Sequence, residues 1–140
     1  MAEYTNIGIA SVAAGQNVPL TETAVSGNCS IVHREGAGVV TLRGLTNQCN
    51  AQFKVSFGAN IAVPTGGTVE AITAALSVDG EPLASTVMTV TPAAVENYSN
   101  VFTAVNIVVP RGCCVTVAAT NTSTQTINFA NSNMIVERKA

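Results

Sequence analysis

Asn60-Ile-Ala-Val-Pro-Thr-Gly-Gly-Thr-Val69 is the stretch that decides the fold of this chain, because it occurs twice. It returns as Asn106-Ile-Val-Val-Pro-Arg-Gly-Cys-Cys-Val115, and Gln16-Asn-Val-Pro-Leu20 is a fainter echo near the start. In each full copy an apolar run ends at a proline, which has no N–H for a strand ladder. A glycine then turns the chain into a second β-branched run. The repeat predicts a strand, a corner and another strand.

The composition predicts one small domain with unusually few charges. The chain has 140 residues, of which 47% are hydrophobic and 10% charged, against about 25% charged in ordinary soluble domains. We predict a single domain over residues 1–140, since a chain of this size can bury roughly 70% of its unfolded surface. No apolar run approaches the ~18 residues of a membrane span. We therefore expect contacts between subunits, and no membrane, to cover the excess apolar surface.

The charge pattern argues against a nucleic-acid partner. The net charge is −2, and the six Lys and Arg residues are scattered along the chain. No basic stripe is available to neutralise phosphates. The first residues, Met1 to Asn6, also lack the basic and apolar segments of a signal peptide. We expect the chain to stay in the compartment where it is made.

The residue inventory predicts no enzyme and no cofactor. His33 is the only histidine and Asp79 the only aspartate. Asp79 is followed by Gly80, and this dipeptide is a strong hairpin signal. A Ser-His-Asp arrangement would therefore depend on a turn residue. We predict no catalytic, cofactor or metal site.

The four cysteines are expected to be free thiols. Two disulfides among them have three possible connectivities, but without a signal peptide we expect the thiols to pack as small core hydrophobes. Neighbouring strand side chains point to opposite faces, which makes the tandem pair a poor disulfide. They also lack the C-x₂-C spacing of zinc sites. These residues are Cys29, Cys49, Cys113 and Cys114.

Alternation of apolar and polar residues predicts about eight to ten short strands and no helix. The clearest case places Phe53, Val55 and Phe57 on one face of a strand. The segment Val101 to Val109 is apolar on both faces. It is expected to be buried against the core and against either a second sheet or another subunit. The pattern is typical of an all-β jelly-roll sandwich of two antiparallel sheets.

Five phrases, spread over nearly the whole chain, carry a family likeness. They are Val12-Ala-Ala-Gly-Gln-Asn-Val-Pro-Leu20, Gly38-Val-Val-Thr-Leu42 leading to Phe53-Lys-Val-Ser-Phe57, the Asp79-Gly80 hairpin, Val108-Val-Pro-Arg-Gly112 with Val115-Thr-Val117, and Ile135-Val-Glu-Arg138. Together they resemble the trimeric jelly roll of the tumour necrosis factor and complement type. The subtype is similar to heads of spore-surface collagen-like glycoproteins and to structural proteins of bacteriophages and prophages. Cys49-Asn-Ala-Gln52 stands where that family has Gly-x-Tyr.

The resemblance implies a homotrimer packed about a threefold axis through aromatic and aliphatic side chains. It also implies a role on a virion surface, as a capsid decoration protein, head fibre or other appendage. Such a chain would be assembled in the host cytoplasm, with capsid or other virion proteins as partners. The candidate contact residues are Phe53, Phe57, Tyr98, Phe102 and Phe129.

A sugar- or receptor-binding adhesin module on the same scaffold is the alternative function. Lectin sites combine an aromatic platform with amide or carboxylate groups. Tyr98 beside Asn97 and Asn100 is the one place in the sequence with that combination. Arg111, at the second corner, is a further candidate for an exposed ligand or salt-bridge group. Other loop amides that could contribute are Asn47, Asn50 and Asn121.

Overall fold

The computed structural model describes residues 1–27 and 29–139. The described residues form short and long β-strands joined by turns, together with one short 3₁₀ helix. The strands are β1 (Ala2–Val12), β2 (Glu22–Val25), β3 (Ile31–His33), β4 (Val39–Arg43), β5 (Asn50–Ala62), β6 (Ile72–Val78), β7 (Glu81–Pro82), β8 (Met88–Val90), β9 (Ser99–Pro110), β10 (Cys114–Asn121) and β11 (Ile127–Arg138), and the 3₁₀ helix is Ala84–Thr86.

Two antiparallel sheets pack face to face. The five-stranded sheet has the order β2-β1-β11-β5-β9, and the six-stranded sheet has the order β3-β4-β10-β6-β7 with β8 also paired to β6. Strands far apart in the chain are neighbours, as where β1 pairs with β11 and β10 lies between β4 and β6. This is the architecture of a jelly-roll sandwich, and the predicted fold class is confirmed.

Both copies of the repeated stretch form the same corner. In each, the proline carbonyl accepts a hydrogen bond from the N–H three residues later, and the glycine between them has a positive φ. That is the geometry of a type II turn, whose third residue is readily glycine. The bonds join Gly67 N to Pro64 O at 2.9 Å and Cys113 N to Pro110 O at 3.0 Å, and φ is 90° at Gly66 and 77° at Gly112.

The predicted hairpin at Asp79-Gly80 is confirmed. Both residues have positive φ, 52° and 86°, as a type I′ turn requires. Asp79 also ties the turn to the neighbouring strand, because its Oδ1 accepts a hydrogen bond from the Thr116 N–H at 3.0 Å. The turn is thereby fixed to the six-stranded sheet.

The core between the sheets contains three of the four phenylalanines. Phe53, Phe57 and Phe129 are each 0% exposed. The first two share one face of β5, as the sequence predicted, and this face is the inner one. Their second predicted role, as contacts between subunits, is wrong. A side chain enclosed between the two sheets offers no surface to a second chain.

Strand β9 is buried on one face only. Val101, Ile107 and Val109 face the core, and each is at most 7% exposed. On the opposite face Phe102 and Val108 are 65% and 53% exposed. The sequence predicted that either a second sheet or another subunit covers this second face. A second sheet is excluded, because the six-stranded sheet packs on the core side of β9. Within the single chain the face is open.

The cysteines do not pack in the core, and that expectation is wrong. All four are free and exposed. The physical reason is their position, since they lie in turns or at the first residue of a strand, beyond the part of the sandwich that the sheets enclose. Cys49 directly precedes β5, and Cys113 directly precedes β10.

Candidate interaction face

Two exposed residues of the predicted site, Asn100 and Phe102, share one surface, the side of the five-stranded sheet that faces away from the six-stranded sheet. We call this surface the outer face. Residues that alternate with the core residues point to it, and the strand registers place them in rows across the sheet. Its members include Ile7 and Ile9 on β1, Asn131, Asn133 and Ile135 on β11, Ser56, Gly58 and Asn60 on β5, and Asn100, Phe102, Ala104 and Val108 on β9.

The outer face carries the most exposed large hydrophobic side chains. Apart from the terminal methionine, the four most exposed among the described residues are Ile7 at 67%, Ile9 and Phe102 at 65%, and Val108 at 53%. All four lie on this face. Their concentration on one side of the sandwich is not what scattered surface hydrophobics would give.

Ile7 and Ile9 both point outward because residues two apart in a strand lie on the same face. The register of β1 against β11 shifts between Asn6 and Ile9. Gly8 lies inside the shift, and its N–H donates to Asn6 Oδ1 at 3.2 Å. A bulge inserts an extra residue into one strand of a pair, and the register shift here lies beside both isoleucines.

Side-chain amides form a row across the outer face, from β9 to β1. Asn100 Nδ2 donates to Asn60 Oδ1 at 3.1 Å, and Asn60 Nδ2 approaches Asn131 Oδ1 at 3.4 Å. Asn131 Nδ2 in turn approaches the Ile7 carbonyl at 3.4 Å. The row links β9, β5, β11 and β1 without a charge. Asn100, a predicted ligand residue, belongs to this network.

Charges on the outer face lie away from the amide row. Lys54 and Glu137 are directly opposite each other near the far end of β5 and β11. Glu3 accepts a hydrogen bond from Asn133 Nδ2 at 3.1 Å. On β9 itself no residue is charged. Depletion of charge around exposed apolar side chains is typical of the centre of a protein interface.

Tyr98 has different partners from those the sequence predicted. Its hydroxyl donates to Glu96 Oε2 at 3.4 Å and accepts from Asn128 Nδ2 at 3.4 Å. Glu96 is held by a second bond, from the Thr65 N–H to its Oε1 at 3.0 Å. Asn97 is exposed beside this group. The half-buried tyrosine, a carboxylate and an amide thus form a small polar cluster, which we call the Tyr98 cluster.

Two of its members were missed by sequence reasoning. Glu96 lies close to Tyr98 in the sequence and could have been found there. Asn128 arrives from β11, and only the sheet register brings it near.

The remaining predicted ligand residues lie elsewhere. Arg111 is exposed at the far end of β9, roughly 40 Å along the strand from Tyr98 at about 3.3 Å per residue, so the two cannot share one small site. Asn121 is 0% exposed. Its Nδ2 donates to the carbonyls of Val12 and Gln125 at 2.8 and 2.9 Å. Asn121 is therefore a structural residue, and its predicted place among ligand amides is corrected.

An open depression of about 350 Å³ contains the only histidine, with residues that could suggest catalysis. His33 Nε2 is 2.9 Å from the Ala37 carbonyl, while Nδ1 is buried without a partner. Neither ring nitrogen therefore contacts a hydroxyl or a carboxylate, as a general base would require. The lining residues are Tyr4, Thr23, Ser26, Gly27, Ile31, Val32, His33 and Glu35.

Tyr4 packs against this histidine, with ring centroids 4.3 Å apart. Burial raises the pKa of the Tyr4 hydroxyl above its ordinary value. Among residues 1–27 and 29–139, no three His, Cys, Asp or Glu side chains are grouped so that they could hold a metal ion. The same residues include no helix long and apolar enough to cross a membrane.

Comparison with known proteins supports the fold and nothing finer. No family model and no curated protein matches the sequence. The globular domain of zebrafish complement 1qA protein matches with a TM-score of 0.51 at 8% identity, covering 96% of this chain and 94% of that one. A weaker likeness is the sugar-binding EclA C-terminal domain, with a TM-score of 0.44 at 13% identity, covering 93% of this chain and 79% of that one. Another is a carbohydrate-binding module from Cellvibrio japonicus Abf62, with a TM-score of 0.39 at 8% identity, covering 99% of this chain and 98% of that one.

Proposed function

We propose that this chain is a non-enzymatic interaction module that assembles as a homotrimer through its outer face. The observation that carries the proposal is the concentration there of Ile7, Ile9, Phe102 and Val108, each more than half exposed. A jelly-roll chain with 10% charged residues has to cover apolar surface, and this is the face where that surface lies.

The energetics favour a contact that uses the whole face. Fully burying one large apolar side chain stabilises a complex by about 1.5–3 kcal/mol. Association costs about 4–15 kcal/mol in lost translational and rotational freedom. Burial of one phenylalanine cannot offset that cost, whereas burial of all four side chains gives a stabilisation of similar size to the cost. The neutral amide row adds hydrogen-bonding groups that need no charged partner.

Strand β9 gives a second reason for self-association. It is an edge strand of the five-stranded sheet and runs for 12 residues. Natural β-proteins protect long edges with charges, bulges or a covering element. The sequence Ser99–Pro110 contains no Lys, Arg, Asp or Glu, and its proline stands at the end. A neighbouring subunit that covers this edge would supply such protection.

We further propose that the trimer is part of a bacteriophage virion. It would be assembled in the host cytoplasm, with capsid or other virion proteins as partners. The support for this role is the sequence resemblance to structural proteins of bacteriophages and prophages. Particles purified by density gradient from the source culture should contain the chain in constant ratio to a capsid protein. A chain that remains in the soluble fraction while particles form would reject the virion role and leave the trimer untouched.

The experiment for the trimer compares two variants. Phe102→Glu places a charge on the outer face of the edge strand β9, where an interface would desolvate it. Val32→Glu is the matched control, since Val32 is 45% exposed on a strand of the other sheet. Light scattering after size exclusion should show the first variant as a monomer and the second with the wild-type mass. Equal masses for both variants and the wild type would reject the outer face as the interface.

A sugar- or receptor-binding module is the second candidate, and the Tyr98 cluster is the observation that favours it. An aromatic ring beside a carboxylate and an amide is a common sugar-binding arrangement. A glycan array distinguishes the two functions. Saturable binding that is lost in Tyr98→Ala would favour the sugar-binding module. Absence of binding at every glycan density leaves the assembly function.

A further inference from the structure

The four cysteines, separated by as many as 114 − 29 = 85 positions, come together at one end of the sandwich. All four are free and exposed there. Free cysteine is among the residue types most often buried, so exposure of all four is unexpected for side chains that only pack. Three of them, Cys49, Cys113 and Cys114, belong to two segments that cross between the sheets side by side, the β4–β5 connection and the second corner with the start of β10.

Backbone hydrogen bonds fix these segments against each other. Gly44 N donates to Cys113 O at 2.8 Å, and Gly112 N donates to Gly44 O at 3.0 Å. At the other end of the connection, Arg111 N donates to Cys49 O at 3.0 Å. Both cysteines therefore flank the same type II turn. Gly44 is packed so closely that a Cβ there would overlap the carbonyl of Pro110.

Cys49 and Cys113 each stand just before a strand, and the two strands belong to opposite sheets. On β5 the core residues nearest the end are Ala51 and Phe53, and on β10 the first is Val115. Cys49 and Cys113 each precede such a core residue by two positions. The alternation of each strand, extended to the residue just before it, assigns both cysteines to the core side at its open end, where both are exposed.

The other two cysteines are less well placed to pair with them. Cys114 follows Cys113 directly and points to the outside of its sheet. Cys29 lies across β4, where its carbonyl accepts a bond from Arg43 Nη1 at 3.4 Å. Two strand spacings, roughly 10 Å, separate it from β10. A disulfide requires Cα atoms within about 7 Å.

We propose that Cys49 and Cys113 form a reversible intrachain disulfide, a modification site at the second corner. The oxidant is a low-molecular-weight disulfide such as glutathione disulfide. One cysteine loses its proton to solvent, and its thiolate attacks a sulfur of the oxidant and expels one small thiolate. The second cysteine, deprotonated in the same way, attacks the mixed disulfide and expels the other. Two protein thiols are oxidised to one disulfide while the oxidant is reduced to two thiols.

The disulfide would fasten the two sheets together at this end of the molecule. It would close a loop of 113 − 49 = 64 positions, and a cross-link of that length reduces the conformational freedom of the unfolded chain. The Tm of the oxidised protein is therefore expected to rise by several degrees and to return after reduction. Arg111 is exposed in the turn that the two cysteines flank, and the disulfide would hold it in one place.

The test is oxidation of the native protein with glutathione disulfide, followed by intact mass and tryptic mapping under non-reducing conditions. Trypsin separates the two partners, because Cys49 falls between Arg43 and Lys54 and Cys113 follows Arg111. The expected product is a single chain that has lost two hydrogen atoms, with those two peptides linked. A variant with Cys29→Ser and Cys114→Ser should give the same product.

Three outcomes would overturn the proposal: glutathione adducts without an intrachain bond, a bond that includes Cys29 or Cys114, or a link between two chains. Cys49→Ser serves as the matched control. It should keep a glutathione adduct at Cys113 and show no rise in Tm on oxidation. Since the substituted side chains are all exposed, an unchanged far-UV circular dichroism spectrum should confirm that each variant is folded.

Discussion

Phe102 on β9 stands directly opposite Gly58 on β5, and its Cδ2 atom lies 3.6 Å from the position that a Cβ at residue 58 would occupy. The ring therefore covers a position on β5 that has no side chain. On the other side of the same sheet, one position along β5, Phe57 is fully buried. Two phenylalanines on adjacent strands thus have opposite roles.

Replacing Phe57 tests the role in the core. Phe57→Ala should lower the free energy of unfolding by about 3–5 kcal/mol, because it removes a large buried side chain and leaves a cavity. Urea unfolding at one fixed protein concentration measures the change. A loss under about 1 kcal/mol would mean that Phe57 is not enclosed between the sheets.

Replacing Phe102 tests the role at the surface. Phe102→Ala should leave the far-UV circular dichroism spectrum unchanged, since the side chain is 65% exposed. The Tm of an oligomer rises with protein concentration, and this dependence should be weaker in the variant than in the wild type. Thermal unfolding over a hundredfold dilution gives the comparison. The same dependence in both proteins would remove Phe102 from the interface.

Asn121 is predicted to be a structural residue. Asn121→Ala should destabilise the fold by about 3 kcal/mol or more, since three groups lose their partner and each buried group left without one costs about 1–3 kcal/mol. The groups concerned are the carbonyls of Val12 and Gln125 and the Ser123 N–H, which bonds Asn121 Oδ1 at 2.9 Å. Exposed Asn97→Ala is the matched control and should change stability by less than about 0.5 kcal/mol.

Tyr4 should make the fold sensitive to alkali. Burial raises the pKa of its hydroxyl in the folded chain above the unfolded value of about 10. The folded state therefore keeps a proton that the unfolded state releases, and stability falls as the pH rises through the unfolded and then the folded pKa. Below about pH 9 this group has no effect. Urea unfolding from pH 8 to 11 should show a smaller alkaline loss in Tyr4→Phe, and an equal loss would contradict the assignment.

Local sequence rules were sufficient for the corners and the hairpin. Each Val-Pro-x-Gly turn needs only a proline carbonyl and a glycine with positive φ, and both lie within four residues. The same holds for Asp79-Gly80. Such features depend on neighbours in the chain, and the sequence shows those neighbours directly.

The division of aromatic residues between core and surface could not be predicted in this way. Alternation shows that a strand has two faces, but the side on which the second sheet packs depends on contacts distant in sequence. Phe57 and Phe102 therefore looked equivalent. The cysteines were misjudged because their type suggests burial, while their place in the turns exposes them. The Tyr98 cluster also required a distant strand, which supplies Asn128.

The central claim, that the outer face joins three copies of the chain, is tested most directly by the mass of the wild-type protein in solution. Light scattering after size exclusion should be recorded across dilution, with and without reductant. We predict a persistent mass near three times the 14.3 kDa chain, unchanged by reductant. A mass of one chain at every concentration would contradict it, and the outer face would then have to be covered by a different protein.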